Sequence, residues 1–230
     1  MRGLFVTATD TGVGKSVLSA ALVAGMRAEG LAAVPYKPVL TGVDTPSAEG
    51  SWPPDDELLA LAAGIEQTSV APLRFGPAVS PHLAADLAGS AIDPEGLLAA
   101  ARHLTPAGET LIVEGVGGLL VPLSGSYLVR DLAAALALPV LIAARPGLGT
   151  INHTLLTLQA VREAGLDVRA VVLTPWPADP DEMQCSNRHT IAELGAVEVA
   201  TLPVIESPGL PQLAAAGAML PWRRWLAPPD

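Results

Sequence analysis

The sequence predicts an α/β fold: a doubly wound, mostly parallel sheet with helices on both faces. Short apolar runs of strand type alternate with segments of helical periodicity along most of the chain. At the amino end a strand, a glycine-bearing loop and a helix follow one another directly, the order that opens a parallel sheet.

The first strand-like run covers residues 4–7 and is bounded by turn residues. Residues 16–28 place Val17, Ala21, Leu22 and Met26 at helical spacing, and Gly30 marks the end of that helix. Further strand-like runs are expected at 32–36, 111–113, 140–144, 168–173 and 197–202. Helices are expected between them at 56–63, 94–103, 129–137, 151–164 and 186–194. Residues 44–54, rich in Pro, Ser and Gly, read as a loop, and so do residues 175–184. The tail 221–230 reads as a terminal segment packed through Trp222 and Trp225, or frayed at its end. No internal repeat and no linker divides the chain, so residues 1–230 are expected to form one domain.

Composition narrows the function. Half of the 230 residues are hydrophobic and 16% are charged, which excludes disorder. The formal net charge is −10; such a body repels nucleic acid and anionic lipid, so neither is expected as a partner. Phosphate binding must then come from a local, preorganised pocket. One cysteine, Cys185, can form neither an internal disulfide nor a metal cluster, and a reducing cytoplasmic setting is expected. The first residues lack the apolar core of a signal peptide, and no stretch reads as a membrane span.

The segment from Ala8 to Ser16 (ATDTGVGKS) joins the first strand to the first helix. Glycines let the backbone curl so that successive N–H groups face a phosphate, and the helix start adds partial positive charge. Thr11, Gly12, Val13, Gly14, Lys15 and Ser16 are therefore the expected nucleotide contacts. Lys15 neutralises the outer phosphates, and the Ser16 hydroxyl suits Mg2+, a hard cation that prefers oxygen. The fold is accordingly of the P-loop NTPase type, although the first glycine of the commonest spacing is replaced by Thr9. Such a loop needs acidic partners on neighbouring strands. Glu114 ends a strand and enters a glycine-rich turn with Gly117, at the strand edge where ligands bind in open α/β sheets. Asp55 and Asp56, just before a helix, are the second pair of candidates; acids there also complement a helix dipole.

These residues resemble the dethiobiotin synthetase family. The resemblance rests on residues 9–16 (TDTGVGKS), Tyr36-Lys37-Pro38-Val39 with Thr41-Gly42, Ser80-Pro81-His82, residues 113–118 (VEGVGG) and residues 149–157 (GTINHTLLT), in family order. It implies a single P-loop nucleotide-binding and ligase domain that uses ATP and Mg2+ to carboxylate 7,8-diaminopelargonic acid with CO2 and close a cyclic urea, by way of a carbamate and a carbamic–phosphoric anhydride. Lys37 is similar to the family's catalytic lysine and acts with Lys15. Thr41 matches a substrate contact. Asp56 best matches the metal-linked acid, with Asp55 second, beside Ser16 and Glu114. Gly149, Thr150, Ile151 and Asn152 match a helix start that meets the substrate carboxylate from a partner subunit, which implies a homodimer. His82 and His153, without ligand spacing, read as structural.

The chain departs from the family where the nucleotide base is read. Thr174-Pro175 stands where many members carry Asn-Asp, so base contact is expected to fall to Thr174, Pro175 and the stretch Pro203, Val204, Ile205, with reduced selectivity among nucleoside triphosphates. Ala8 also replaces a usual glycine. Two other P-loop readings compete: a partitioning or switch ATPase, and a relative of the cobyrinic acid amidating ligases. The first typically carries a lysine where Asp10 stands; the second carries a glutaminase domain for which this chain is too short.

Overall fold

A computed structural model of the chain describes residues 1–45, 52–105 and 108–228. Residues 46–51 of the loop expected at 44–54, and the last two residues of the tail, lie outside the described residues.

The strands are β1 (Gly3–Ala8), β2 (Ala33–Tyr36), β3 (Val39–Thr41), β4 (Leu73–Phe75), β5 (Thr110–Glu114), β6 (Pro122–Ser124), β7 (Tyr127–Leu128), β8 (Val140–Ala144), β9 (Val168–Trp176) and β10 (Val199–Pro203). The helices are α1 (Lys15–Ala28), α2 (Asp55–Ala63), α3 (Pro81–Leu87), α4 (Pro94–His103), α5 (Val129–Leu136), α6 (Thr150–Glu163), α7 (Glu182–Gly195), α8 (Leu210–Ala218) and α9 (Trp222–Trp225), with a 3-10 turn at Gln67–Ser69. Six strands form one parallel sheet in the order β10-β9-β8-β1-β5-β2. β1 lies inside it and all six of its residues are buried, which is why its sequence is a continuous apolar run rather than an alternating one. Leu4, Val6 and Ala8 feed the core on the face of α1, α2 and α8; Phe5 feeds the other, under α4, α5 and α6. Being parallel, β1, β2, β5, β8 and β9 all end at one edge, and the loops after them converge there.

All six strands and six helices expected from sequence lie within a few residues of their predicted places. Several elements were not legible. β3 and β4 form a separate parallel pair, β6 and β7 a short hairpin, and α3 and α8 are additional helices. The loop expected at 175–184 is shorter, because β9 continues to Trp176 against Pro203 and α7 begins at Glu182. That helix start is set by Asp181, whose side chain accepts the Gln184 N–H while Gln184 reciprocates, a capping box. α8 crosses α1 at Gly25 and Gly217, where the two backbones touch; a methyl on Gly25 would sit 2.6 Å from the Gly217 carbonyl carbon. In the tail, Trp222 and Trp225 are buried in the core beside these helices. Among the described residues no helix is long and apolar enough to cross a membrane.

Candidate active site

The phosphate loop hangs between β1 and α1. Ala8 is in register with Ala143 of β8, and the Thr9 N–H donates to the Ala143 carbonyl at 3.0 Å, which anchors the loop's first side. The Ala8 methyl points into the core, so the chain accommodates alanine where the family has glycine. Gly12 and Gly14 have φ of 72° and 94°, the left-handed turns that aim amides into the loop. No side chain caps α1, leaving its first N–H groups for a ligand. Thr11 and Gly12 are exposed, while Val13 is buried as the loop's apolar foot. Lys15 is buried. Burial pulls its pKa below the usual lysine value, the nearby Lys37 pulls the same way, and the Glu114 carboxylate only partly offsets them.

Lys37, two residues before β3, points into the same place. Its ammonium donates to Asp55 Oδ2 at 2.5 Å and to Glu114 Oε1 at 2.6 Å, and the Ser16 hydroxyl donates to Glu114 Oε1 at 2.8 Å. Lys37 and Glu114 are 3% and 0% exposed. Burial alone would lower the Lys37 pKa, but the two carboxylates outweigh it and hold the group protonated well above the usual lysine range. Asp55 moves the other way: burial would raise it, yet the charge and hydrogen bond of Lys37 hold it below the usual carboxylate value.

Sequence reasoning preferred Asp56 to Asp55 as the acid linked to metal, and here the structure differs. Asp55 lines the cavity; Asp56 is 0% exposed and turned away, accepting from Gln67 Nε2 at 2.9 Å and from Arg74 Nη1. Consecutive helical residues point about 100° apart, so only one of the pair can face the loop.

The residues fit a divalent cation. Glu114 Oε2 is buried without a hydrogen-bond partner among the described residues, and Ser16 and Asp55 add two further hard oxygens. The Lys37 ammonium between the carboxylates shows that the place favours positive charge. Among the described residues no three His, Cys, Asp or Glu side chains are grouped so as to hold a metal ion by themselves.

A cavity of about 690 Å3 opens from this centre. Thr11, Gly12, Lys15, Ser16, Lys37, Thr41, Asp55 and Gly117 share it with Ser80 and Pro81 of the α3 start, and Leu40, Trp52, Leu58, Val79 and Val116 supply apolar wall. Gly117, at φ 62°, brings its turn beside the loop: a methyl there would lie 3.7 Å from the Thr11 hydroxyl.

The expected base contacts gather next to the loop. Thr174 is buried against Gly14, 3.1 Å from where a methyl would stand, and the Val204 N–H donates to the Trp176 carbonyl at 3.1 Å, setting Pro203, Val204 and Ile205 beside Thr174 and Pro175. Pro175 and Val204 line a second cavity of about 630 Å3 with Thr9, Asp10, Arg145 and Thr150. The four residues at the α6 start do not reach the first cavity. Gly149 turns the chain at φ 89°, Thr150 is buried with its hydroxyl 3.4 Å from that of Thr154, Ile151 is half-buried and Asn152 exposed. His82 is half-buried, its Nδ1 without a partner among the described residues, and His153 edges the second cavity. The Arg145–Asp10 ion pair at 3.1 Å, the Trp52 wall and the Arg74–Asp56 pair carried no signal in the sequence, since each joins residues far apart in the chain.

Fold and site together define a nucleotide-binding P-loop protein, and the family model described as an AAA domain matches residues 2–210. The chain is 47% identical to the ATP-dependent dethiobiotin synthetase BioD of Anaeromyxobacter sp. (strain Fw109-5) over 86% of its length and 91% of that protein. It is 42% identical to the protein of that name from Mycobacterium avium (strain 104), over 94% and 91%, and 36% identical to that of Bacillus subtilis (strain 168), over 86% and 85%. The chain belongs to the ATP-dependent dethiobiotin synthetase family. Among solved structures it is similar to the cell division ATPase MinD of Pyrococcus furiosus (TM-score 0.52, 18% identity, 95% of this chain and 90% of that one) and to chloroplast FtsY from Physcomitrella patens (TM-score 0.52, 14%, 92% and 65%); at such identities the likeness is one of fold.

Proposed function

We propose that the chain closes the ureido ring of dethiobiotin from 7,8-diaminopelargonic acid, CO2 and ATP. The observation that carries this reading is the Lys37 ammonium, buried between Asp55 and Glu114 at the mouth of the phosphate loop. One amine of the substrate adds to CO2, forming a C–N bond and releasing a proton. An oxygen of the resulting carbamate attacks the γ-phosphorus, and the bond to ADP breaks. The second amine then attacks the carbonyl carbon of the mixed anhydride; inorganic phosphate and a proton leave, and the ring is closed.

Two anions must meet in the middle step, and the residues explain how. Lys15 and the loop amides hold the triphosphate. A lysine kept protonated cannot serve as base or nucleophile; Lys37 acts as a fixed charge and donor toward the carbamate. Mg2+, when bound by Ser16, Asp55 and Glu114, supplies charge screening on the phosphate oxygens. Thr41 borders the cavity where the diamine lies, and its apolar wall suits the substrate's alkyl chain.

The Gly149–Asn152 helix start belongs, in this reading, to the site of a second copy. Leu148 is 93% exposed and Leu156 58% exposed beside it, an apolar face that a homodimer would cover. A cytoplasmic setting accords with the exposed thiol of Cys185. Base selectivity is relaxed, because Thr174-Pro175 offers no amide side chain: UTP and CTP should support rates equal to ATP, and strict dependence on ATP would refute this.

A phosphate-release assay with Mg2+, bicarbonate and ATP, with and without diaminopelargonate, tests the function. Release should require the diamine and match the dethiobiotin formed. Hydrolysis at full rate without diamine would favour a switch ATPase.

A further inference from the structure

We infer that Arg74 and Gln67 are positioning residues: through Asp56 they hold the first turn of α2 so that Asp55 meets Lys37. The inference rests on the nucleotide–metal reading of the site.

The segment from Gln67 to Phe75 touches Lys37 directly and reaches Asp55 only through its neighbour Asp56. The Lys37 N–H donates to the Val70 carbonyl at 3.0 Å. Two residues further on, β3 pairs with β4, with Leu40 in register with Arg74. The same segment sends Gln67 and Arg74 to the buried Asp56 carboxylate. One brace therefore carries the backbone of the lysine and the helix of the acid.

Asp55 needs such support. Its side chain is 39% exposed, so water can satisfy it in other positions, and Pro54 gives α2 no side-chain cap. Asp56, in contrast, has one favourable position. A fully buried carboxylate must keep its charged and hydrogen-bonding partners, and among the described residues its Oδ1 already lacks one. Shifting α2 would strip Asp56 of both donors. The adjacent residue is thereby fixed at contact distance from Lys37.

The test compares binding of a non-hydrolysable ATP analogue to the full chain by calorimetry, with Mg2+ and with EDTA. Arg74→Met should weaken the Mg2+ complex by about tenfold and the metal-free form by less than about twofold. Arg74→Lys, which keeps the charge, should recover most of the loss. Gln67→Leu removes one neutral donor and leaves the ion pair, so it covers the case in which Arg74→Met fails to fold; it should weaken the Mg2+ complex by about threefold. A general folding defect would lower both affinities together and overturn the inference, as would variants indistinguishable from the parent. If the parent itself bound both forms equally, the metal reading of the site would fall first, and this inference with it.

Discussion

At the scale of single residues, the proposed chemistry turns on Lys37. It neutralises Glu114, which has no access to water, and removing one partner of a buried pair costs about 3–5 kcal/mol. Lys37→Met should therefore abolish ring closure and also lower the melting temperature of the free chain, with Mg2+ and ATP restoring part of the lost stability. An unchanged melt would contradict the burial argument; normal turnover would contradict the assigned role. The stabilising charges hold over a wide pH window. The raised pKa of Lys37 gives a contribution complete below its ordinary 10.5 and lost as pH climbs through the folded value. The lowered pKa of Asp55 gives one present above 3.8 and lost as pH falls through its folded value. Lys15 has the opposite sense. Its lowered pKa makes the folded chain release a proton that the unfolded chain keeps, so this group adds stability as pH rises toward 10.5. If Lys15 meets the triphosphate as proposed, binding should restore that proton. Binding enthalpies measured at alkaline pH in two buffers of different ionisation heat should thus reveal proton uptake, absent in Lys15→Met. Equal enthalpies in the parent would refute the shift.

Among the elements, those built from long periodic or continuous apolar runs were legible: β1, β5, β8 and α1 bury their residues in the pattern their sequences announce. The three-residue β3 and β4 are too short to show a period, and they pair with each other across a chain separation that no local pattern encodes. α8 was missed because its run of Ala and Gly has little hydrophobic contrast, yet those small residues are its function: they let it lie against α1. A side chain on Gly217 would overlap the Ala21 carbonyl. Gly217→Val should cost about 1–3 kcal/mol or more by overpacking, read as a lower melting temperature, while the phosphate loop keeps its triphosphate affinity in the folded fraction. A loss of affinity larger than the loss of stability would show that the loop senses this crossing.

For the whole molecule, a net charge of −10 surrounds a site built to take two anions, so binding must depend on the few cations held inside it. The apolar face at Leu148 and Leu156 belongs to the same scale. Leu148→Asp should convert a dimer to a monomer in sedimentation and raise the KM for the diamine more than that for ATP; a monomeric parent would end the shared-site proposal. By itself the sequence determined the alternation of the six sheet strands with six of the helices, the phosphate loop and the family, because these reside in contiguous residues whose spacing is their physics. Only the tertiary structure decided which of two neighbouring aspartates faces Lys37, which pairs brace them, and that Glu114 shares its oxygen between Ser16 and Lys37. Those choices depend on side-chain direction and burial, set when segments as distant as residues 16, 37, 55, 74 and 114 pack against one another.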